Sequence, residues 1–198
     1  KFSSGGFQYH ARTIPAGTEG TPAGFHHGES LLDQDGELVF QQEVNLDFTV
    51  GSGSRGRSYL FQRGSFLFQS PLTWYVKKGI WDLAPGYRPA DHLRFERRVD
   101  DDCLSCHAGH VNSLAGFENQ YDPAEPFHEL SIGCERCHGP GRKHVEMHLD
   151  GIAGKNSFIV NPGKLEPRKR ESVCNQCHLA GLWRQPRFGK SFLDFRPG

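Results

Sequence analysis

The stretch IGCERCHGPGRKHVEMH, residues 132–148, sets Cys134 and Cys137 two residues apart, His138 directly after the second, and His144 and His148 beyond a Gly-Pro-Gly turn. Its opening recurs: CLSCH at 103–107 and CNQCH at 174–178 share the spacing, and the three copies use all six cysteines of the chain.

CxxCH is the attachment signal of c-type haem: two thiols add to the vinyl groups, and the adjacent histidine is placed under the iron. A structural zinc site wants four ligands from paired knuckles, which leaves three knuckles with an awkward remainder. A disulfide framework explains an even cysteine count but not a histidine after every pair. The pattern therefore predicts three covalently bound haem c groups, on Cys103 and Cys106 with His107, on Cys134 and Cys137 with His138, and on Cys174 and Cys177 with His178. The three histidines are the expected proximal iron ligands.

Composition agrees. Apolar residues make up only 36% of the 198 residues, while Gly (24) and Pro (12) are plentiful, so loops should dominate and regular elements be short. Macrocycles would supply the interior that the side chains lack. Only 31 residues separate His107 from His138, and 40 separate His138 from His178, so the haems should pack closely. Attachment of this kind takes place outside the cytoplasm, and the chain begins at Lys1 without an initiator methionine; both lead to the expectation of an exported, periplasmic or extracellular protein whose signal peptide is removed.

Basic and acidic residues balance at 23 each, and no basic run alternates with aromatics, which argues against a nucleic-acid partner. No apolar stretch approaches the roughly 20 residues of a transmembrane helix.

Along the chain, residues 1–35 read as an extended N-terminal arm rich in Gly, Pro, Ser and Thr. Residues 36–91 read as a β-rich subdomain. Leu38, Phe40, Val44, Leu46, Phe48 and Val50 fall on even positions against polar odd ones, the alternation of one or two half-buried strands. GSGSRGRS at 51–58 resembles a phosphate loop with Arg57 in place of lysine, but YLFQRGSFLFQS (59–70) reads as strand, turn, strand, whereas a phosphate loop opens into a helix. Trp74, Tyr75, Trp81 and Tyr87 are expected core aromatics. Residues 92–198 form the triple-CxxCH region, with each motif in or opening a short helix and with Asp100 to Asp102, Ser131 and Ser172 as candidate N-caps. The expected fold is an irregular α+β multihaem cytochrome, one compact unit overall: a small N-terminal β-strand region and a loop-rich haem-binding half with short helices.

Eight histidines remain for the distal side of the irons. A second histidine keeps a haem at low potential and methionine raises it; Met147 is the one methionine, so at most one haem is His/Met. His144 stands six residues after His138, too near to reach the far face of its own haem, so its target is a neighbouring iron. His144 and His148 are spaced i, i+4 and share a helix face; His148 is expected to be a bystander. The order HVEMH misplaces the glutamate of the HExxH zinc-protease motif.

The combination of VGSGSRGRSYL (50–60), PLTWYVKKGIWDLAPGY (71–87), CLSCHAG (103–109), IGCERCHGPGRKHV (132–145), IVNPGKL (159–165), VCNQCHLAG (173–181) and a closing FRPG resembles a family of exported multihaem cytochromes c of environmental bacteria. In many of these a tetratricopeptide-repeat region follows. The resemblance covers roughly residues 36 to 198, and CHGPGxxH is shared with the broader cytochrome c554-like group. It implies electron transfer between stacked haems, His144 as distal ligand to a neighbouring haem, and an N-terminal distal histidine for which His10 in FQYHART is the best match. His26 and His27 in GFHHGE and His128 are the contenders for the third distal position, with His110 next. The chain ends where relatives often continue, so no repeat module is expected.

Three functions are weighed. The first is a triheme electron carrier with all irons six-coordinate, passing single electrons to partner proteins or to copies of itself. The second is a redox enzyme with one open iron acting on a small inorganic species, and the third is a haem subunit inside a larger complex or filament. Spare histidines outnumber the irons, and no paired carboxylates or nucleophile with a base are evident, which favours the first.

Overall fold

A computed structural model describes residues 1–16, 22–152, 158–179, 181 and 183–198. Its architecture is mixed α+β, with many strands and few, short helices. The chain divides into two units, Lys1–Val99 and Asp100–Gly198.

Among the described residues of the first unit, the regular elements are strands apart from one 3-10 turn at 94–96. Its first sheet runs β1 (Phe2–Ser4), β2 (Phe7–Ile14), β3 (Gly24–Leu32) and β4 (Leu38–Asn45) in that order, antiparallel throughout. The N-terminal stretch read as an arm thus forms three of the four strands. Gly5 and Gly6 both have positive φ, +57° and +82°, the pair that a tight hairpin turn requires. The second sheet runs β5 (Phe48–Val50), β6 (Arg57–Arg63), β7 (Phe66–Tyr75) and β8 (Ile80–Leu83), with β9 (Arg97–Arg98) also on β7. This pairing of β9 carries the first unit on to Val99, eight residues past the boundary expected from composition. Where a phosphate loop would open a helix, β6 begins instead.

The even-position alternation resolves into β4 and β5. Between them the Leu46 amide donates to Phe25 O (2.9 Å) and the Asp47 amide to Leu60 O (3.0 Å), so the chain changes sheets at these two residues. Val44 and Leu46 pack against a core of Tyr9, Phe61, Phe68, Leu72 and Phe95. Leu38 (55%) and Phe40 (37%) remain exposed; the Phe40 ring meets the edge of Phe7 and the Arg94 guanidinium rather than the core. Glu29, with no exposed surface, is held by Arg94, whose Nε donates to Oε1 at 2.8 Å and whose Nη2 donates to the same oxygen. Arg94 has φ +53°, a conformation that costs a non-glycine residue about 1 kcal/mol or more, and its guanidinium lies 3.9 Å from the Phe7 ring centroid.

The second unit holds α1 (Asp101–His107), α2 (Glu135–His138), α3 (Arg142–Leu149) and α4 (Pro167–His178), with a small ladder of β10 (His110–Val111) on β11 (Phe127–Glu129). Among its described residues the buried apolar side chains are few: Leu104, Ala108, Tyr121, Pro126, Phe127 and Val173. Large apolar side chains stand in solvent instead, among them Ile132 (52%), Val145 (55%), Leu179 (64%) and Trp183 (82%). Among the described residues no helix is long and apolar enough to cross a membrane.

Candidate haem-binding site

Each CxxCH occupies about one helical turn, and each reaches it by a different local device. At 100° per residue, the two cysteines and the histidine fall within about 100° of one another, while the second spacer residue falls on the turn's back, about 150° away. In α1 the Asp100 carboxylate accepts from the Cys103 amide at 3.0 Å, the expected N-cap, and Tyr121 donates to Asp101 at 2.9 Å. In α2 the preceding residue is Cys134 itself, with no side-chain cap; Ser131 stands outside the helix. Gly139 closes α2 with φ +75°, and the Gly141 amide donates to Glu135 Oε1 at 2.7 Å, which folds the Gly-Pro-Gly turn back before α3 begins. In α4 the helix starts at Pro167, where the fixed proline φ suits the first turn, so Ser172 is internal and donates to Lys169 O rather than capping.

The three turns meet. Arg136 Nη2 donates to the Ser105 carbonyl, linking the second motif to the first, and Gln176 Nε2 donates to the Arg136 carbonyl at 3.2 Å, linking the third to the second. Cys106 Sγ lies 3.6 Å from Gln176 O, and Cys177 Sγ lies 4.0 Å from Ser105 O, which closes the triangle. Ser105, Arg136 and Gln176 are the second spacer residues of their motifs. Arg184 adds a brace: it donates to Cys106 Sγ (3.4 Å) and Gln176 O (3.2 Å) and pairs with Asp102 (3.1 Å). Burial pushes the Cys106 thiol up, but hydrogen bonds from Arg184, Ser105 and Cys177 outweigh it and leave the thiol below its ordinary value. Burial and then the neighbouring Cys106 push Cys177 up.

The residues fit covalent haem on three counts. No disulfide links any of the six cysteines. His138 donates its Nδ1–H to Val160 O at 2.8 Å, which leaves Nε2 with its lone pair, the arrangement of a metal-ligating imidazole oriented by a backbone carbonyl. Open clefts flank the motifs: one of about 720 Å³ is lined by Cys134, His138, His144, Val145 and Ile159, and one of about 710 Å³ by Asn175, Leu179, Trp183, Arg184, Phe192 and Phe195. Both fall in the size range of small-molecule and cofactor sites, about 300–1,000 Å³. His107 and His178 are exposed at the ends of α1 and α4.

The candidate distal histidines fall in contrasting settings. His144 is half-buried on α3 beside the 720 Å³ cleft, its ring centroid 4.5 Å from that of exposed His148. His128 and His110 are exposed on neighbouring strands β11 and β10, ring centroids 6.3 Å apart. His10 lies on β2 across Gly28, with Nε2 3.7 Å from Glu43; burial, opposed by Glu43, holds its imidazole below the ordinary value. His26 is 3% exposed with Nε2 against Pro22 O (2.9 Å). His27 is wholly buried among Phe25, Tyr59 and Trp81, with Nδ1 against Ser70 Oγ (2.7 Å), and burial drives its pKa down to about 3. The joint of Ser105, Gln176 and Arg184 and the Val160 carbonyl escaped sequence reasoning, since spacer residues carry no motif and a carbonyl has no residue signature.

Comparison with known proteins places this geometry. Residues 87–139 match the family described as cytochrome c554 and c-prime, a stretch that includes the first two CxxCH turns and stops short of the third. Cytochrome c-554 of Nitrosomonas europaea is 33% identical over 86 residues, which cover 40% of this chain and 35% of that protein. The chain thus spans about a third of the length of the curated relative it matches. No solved structure matches. These similarities, with the helical CxxCH turns, support a c-type cytochrome, a class whose cofactor is covalently bound haem c.

Proposed function

We propose that the chain is a triheme c-type cytochrome that passes single electrons between closely packed haems and on to redox partner proteins or further copies of itself, in the periplasm or outside the cell. Haem supplies a one-electron iron couple. The chain's own part is to hold it: Cys103 and Cys106, Cys134 and Cys137, and Cys174 and Cys177 provide the thioether sulfurs, and His107, His138 and His178 the proximal nitrogens. Ligation is mostly bis-His. His144 serves a neighbouring iron, His10 is the second distal ligand, and His26, His27 and His128 are the contenders for the third, of which His26 and His27 have enclosed rings. The observation that carries this reading is the meeting of all three CxxCH turns, which are hydrogen-bonded to one another within one unit.

The pyridine haemochrome spectrum of the purified protein tests it, with three covalent haems per chain expected; one or none sinks the reading. Carbon monoxide added to the reduced protein should produce no spectral shift, because every iron has two protein ligands. A clear shift identifies an open iron and replaces the carrier with a redox enzyme.

A further inference from the structure

The charges of the first unit are sorted along the chain. Between Arg12 and Arg55 stand seven carboxylates and no lysine or arginine, and between Asp47 and Asp82 stand five cations and no carboxylate. The fold gathers seven of these side chains in two places. Residues 33–37 turn the chain from β3 to β4 and form a tip with Asp33, Asp35 and Glu37 exposed. Asp33 Oδ1 accepts from the Asp35 amide (3.0 Å) and the Glu37 amide (2.8 Å), so the tip is ordered by its own backbone, and Leu32 (37%), Leu38 (55%) and Val39 (61%) stand exposed at its base. The cations gather on the loop between β5 and β6 and on the turn between β7 and β8, which are joined where the Val76 amide donates to Arg55 O at 3.0 Å. Arg55, Arg57, Lys77 and Lys78 are all exposed there, beside Ile80 at 42%. Among the described residues none of these seven charged side chains makes an ion pair, whereas Glu29 is taken by Arg94, Glu43 by Arg12 and Arg63 by Glu96. The two places are far apart. Phe25, at the start of β3, packs on Tyr59 and Trp81 of the second sheet (ring centroids 5.3 and 6.0 Å); Trp81 pairs with Trp74 and Trp74 with Arg57, so this end of β3 lies by the cations. Asp33 follows eight residues later, roughly 25 Å along the strand.

We propose that the acidic β3–β4 tip of one copy docks, head to tail, on the basic end of the first unit of a second copy. This goes beyond the electron-transfer reading and does not rest on the number of haems. One chain cannot close such a distance between its own two faces, which exceeds the screening length of about 8 Å at physiological salt, but two copies can bring them together. The faces match in kind: three carboxylates with Leu32, Leu38 and Val39 meet four cations with Ile80 and the half-buried Trp74. Apolar and charged groups side by side are the composition of a protein interface, and opposite potentials steer the approach and fix its register. Both faces are also held in shape before they meet, the tip by Asp33 and the basic end by the bond from Val76 to Arg55. Because the two faces differ, the contact is heterologous, and each added copy presents a fresh face unless a ring closes.

Sedimentation velocity of the holoprotein at rising concentration tests the contact. In 0.01 M NaCl the weight-average mass should climb past that of two chains, and in 1 M NaCl it should fall to that of one, as the Debye length shrinks from about 30 Å to about 3 Å. Asp33→Asn with Asp35→Asn and Glu37→Gln neutralises the tip, and asparagine at 33 retains the oxygen that accepts the two amides. Arg55→Gln with Arg57→Gln, Lys77→Gln and Lys78→Gln neutralises the other face, where all four side chains are exposed. Each variant alone should stay a single chain in 0.01 M NaCl. An equimolar mixture of the two should form a pair and stop there, because the tip of one meets the basic end of the other and no second matched contact remains; the pair also shows that both variants are folded. A parent that stays a single chain in 0.01 M NaCl overturns the proposal, as does either variant associating like the parent. Should the mixture fail to pair, Lys77→Gln with Lys78→Gln alone, confined to an exposed turn, decides: association as strong as the parent's overturns the proposal, and a loss of at least about tenfold upholds it. A haemochrome count below three leaves all these outcomes as they stand and overturns the triheme reading alone.

Discussion

Replacing Arg94 by alanine should destabilise the first unit by about 3 kcal/mol, the lower end of the 3–5 kcal/mol seen when one partner of a buried ion pair is removed. The low end applies because the Arg94 side chain is 33% exposed, so water reaches the outer side of the pair, and because Glu29, with no exposed surface, would still keep the Gln42 amide on its Oε1 after losing the guanidinium. Loss of the guanidinium stacked at 3.9 Å on Phe7 and 4.9 Å on Phe40 adds roughly 0.5–1 kcal/mol. Alanine keeps the unfavourable φ of +53°, so Arg94→Gly should recover about 1 kcal/mol of that loss despite deleting the same side chain. A double replacement, Glu29→Gln with Arg94→Met, should come within about 1 kcal/mol of the parent, since no charge is then stranded. Urea denaturation followed by the emission of Trp74 and Trp81 measures all four proteins. A loss below about 1 kcal/mol in R94A, or a double variant no better than the single, refutes the argument that Glu29 depends on Arg94.

Two further outcomes follow from the same physics. His27, neutral in the fold with a pKa near 3, takes up a proton on unfolding below its ordinary value of 6.5, so stability is intact above pH 6.5 and falls as pH drops toward 3, by up to about 1.4 kcal/mol per pH unit. Between pH 7 and 5, His27→Gln should lose about 2 kcal/mol less than the parent in denaturation midpoints converted to free energy; parallel losses would exclude His27 as the cause. Asp100→Ala removes the cap on the Cys103 amide and should cost α1 about 1 kcal/mol, seen as roughly fivefold faster hydrogen exchange at Cys103, while Asp100→Asn restores protection. Unchanged exchange in D100A would show that the cap is idle.

The parts of this protein that were legible in its sequence are those in which short spacing carries the information. Alternation from Leu38 to Val50 marks β4 and β5, the Arg63-Gly64 turn marks the β6–β7 hairpin, and Asp100 marks the start of α1. Reading fails where long-range pairing decides. The residues before Leu38 look like a Gly- and Ser-rich arm, yet they form strands because β2 and β3 find each other in register across seven residue pairs and then offer β4 an edge. Ser172 has a capping side chain, but Pro167 opens the helix five residues earlier and leaves Ser172 inside it. The three CxxCH repeats are plain from their cysteines; that their spacers touch is not, because Ser, Arg and Gln carry no pattern until the fold joins residues 105, 136 and 176.

The two units differ in what they can do before a cofactor arrives. The first has a closed core of Tyr9, Phe61, Phe68, Leu72 and Phe95 and can collapse on its own side chains. The second presents Ile132, Val145, Leu179 and Trp183 to water and has little to collapse upon. On the three-haem reading proposed above, this difference implies an order of maturation: the first unit would set on its own core, and the CxxCH half would gain its interior only with its cofactors. The exposed apolar side chains of the second unit would then be the surface that the proposed macrocycles cover.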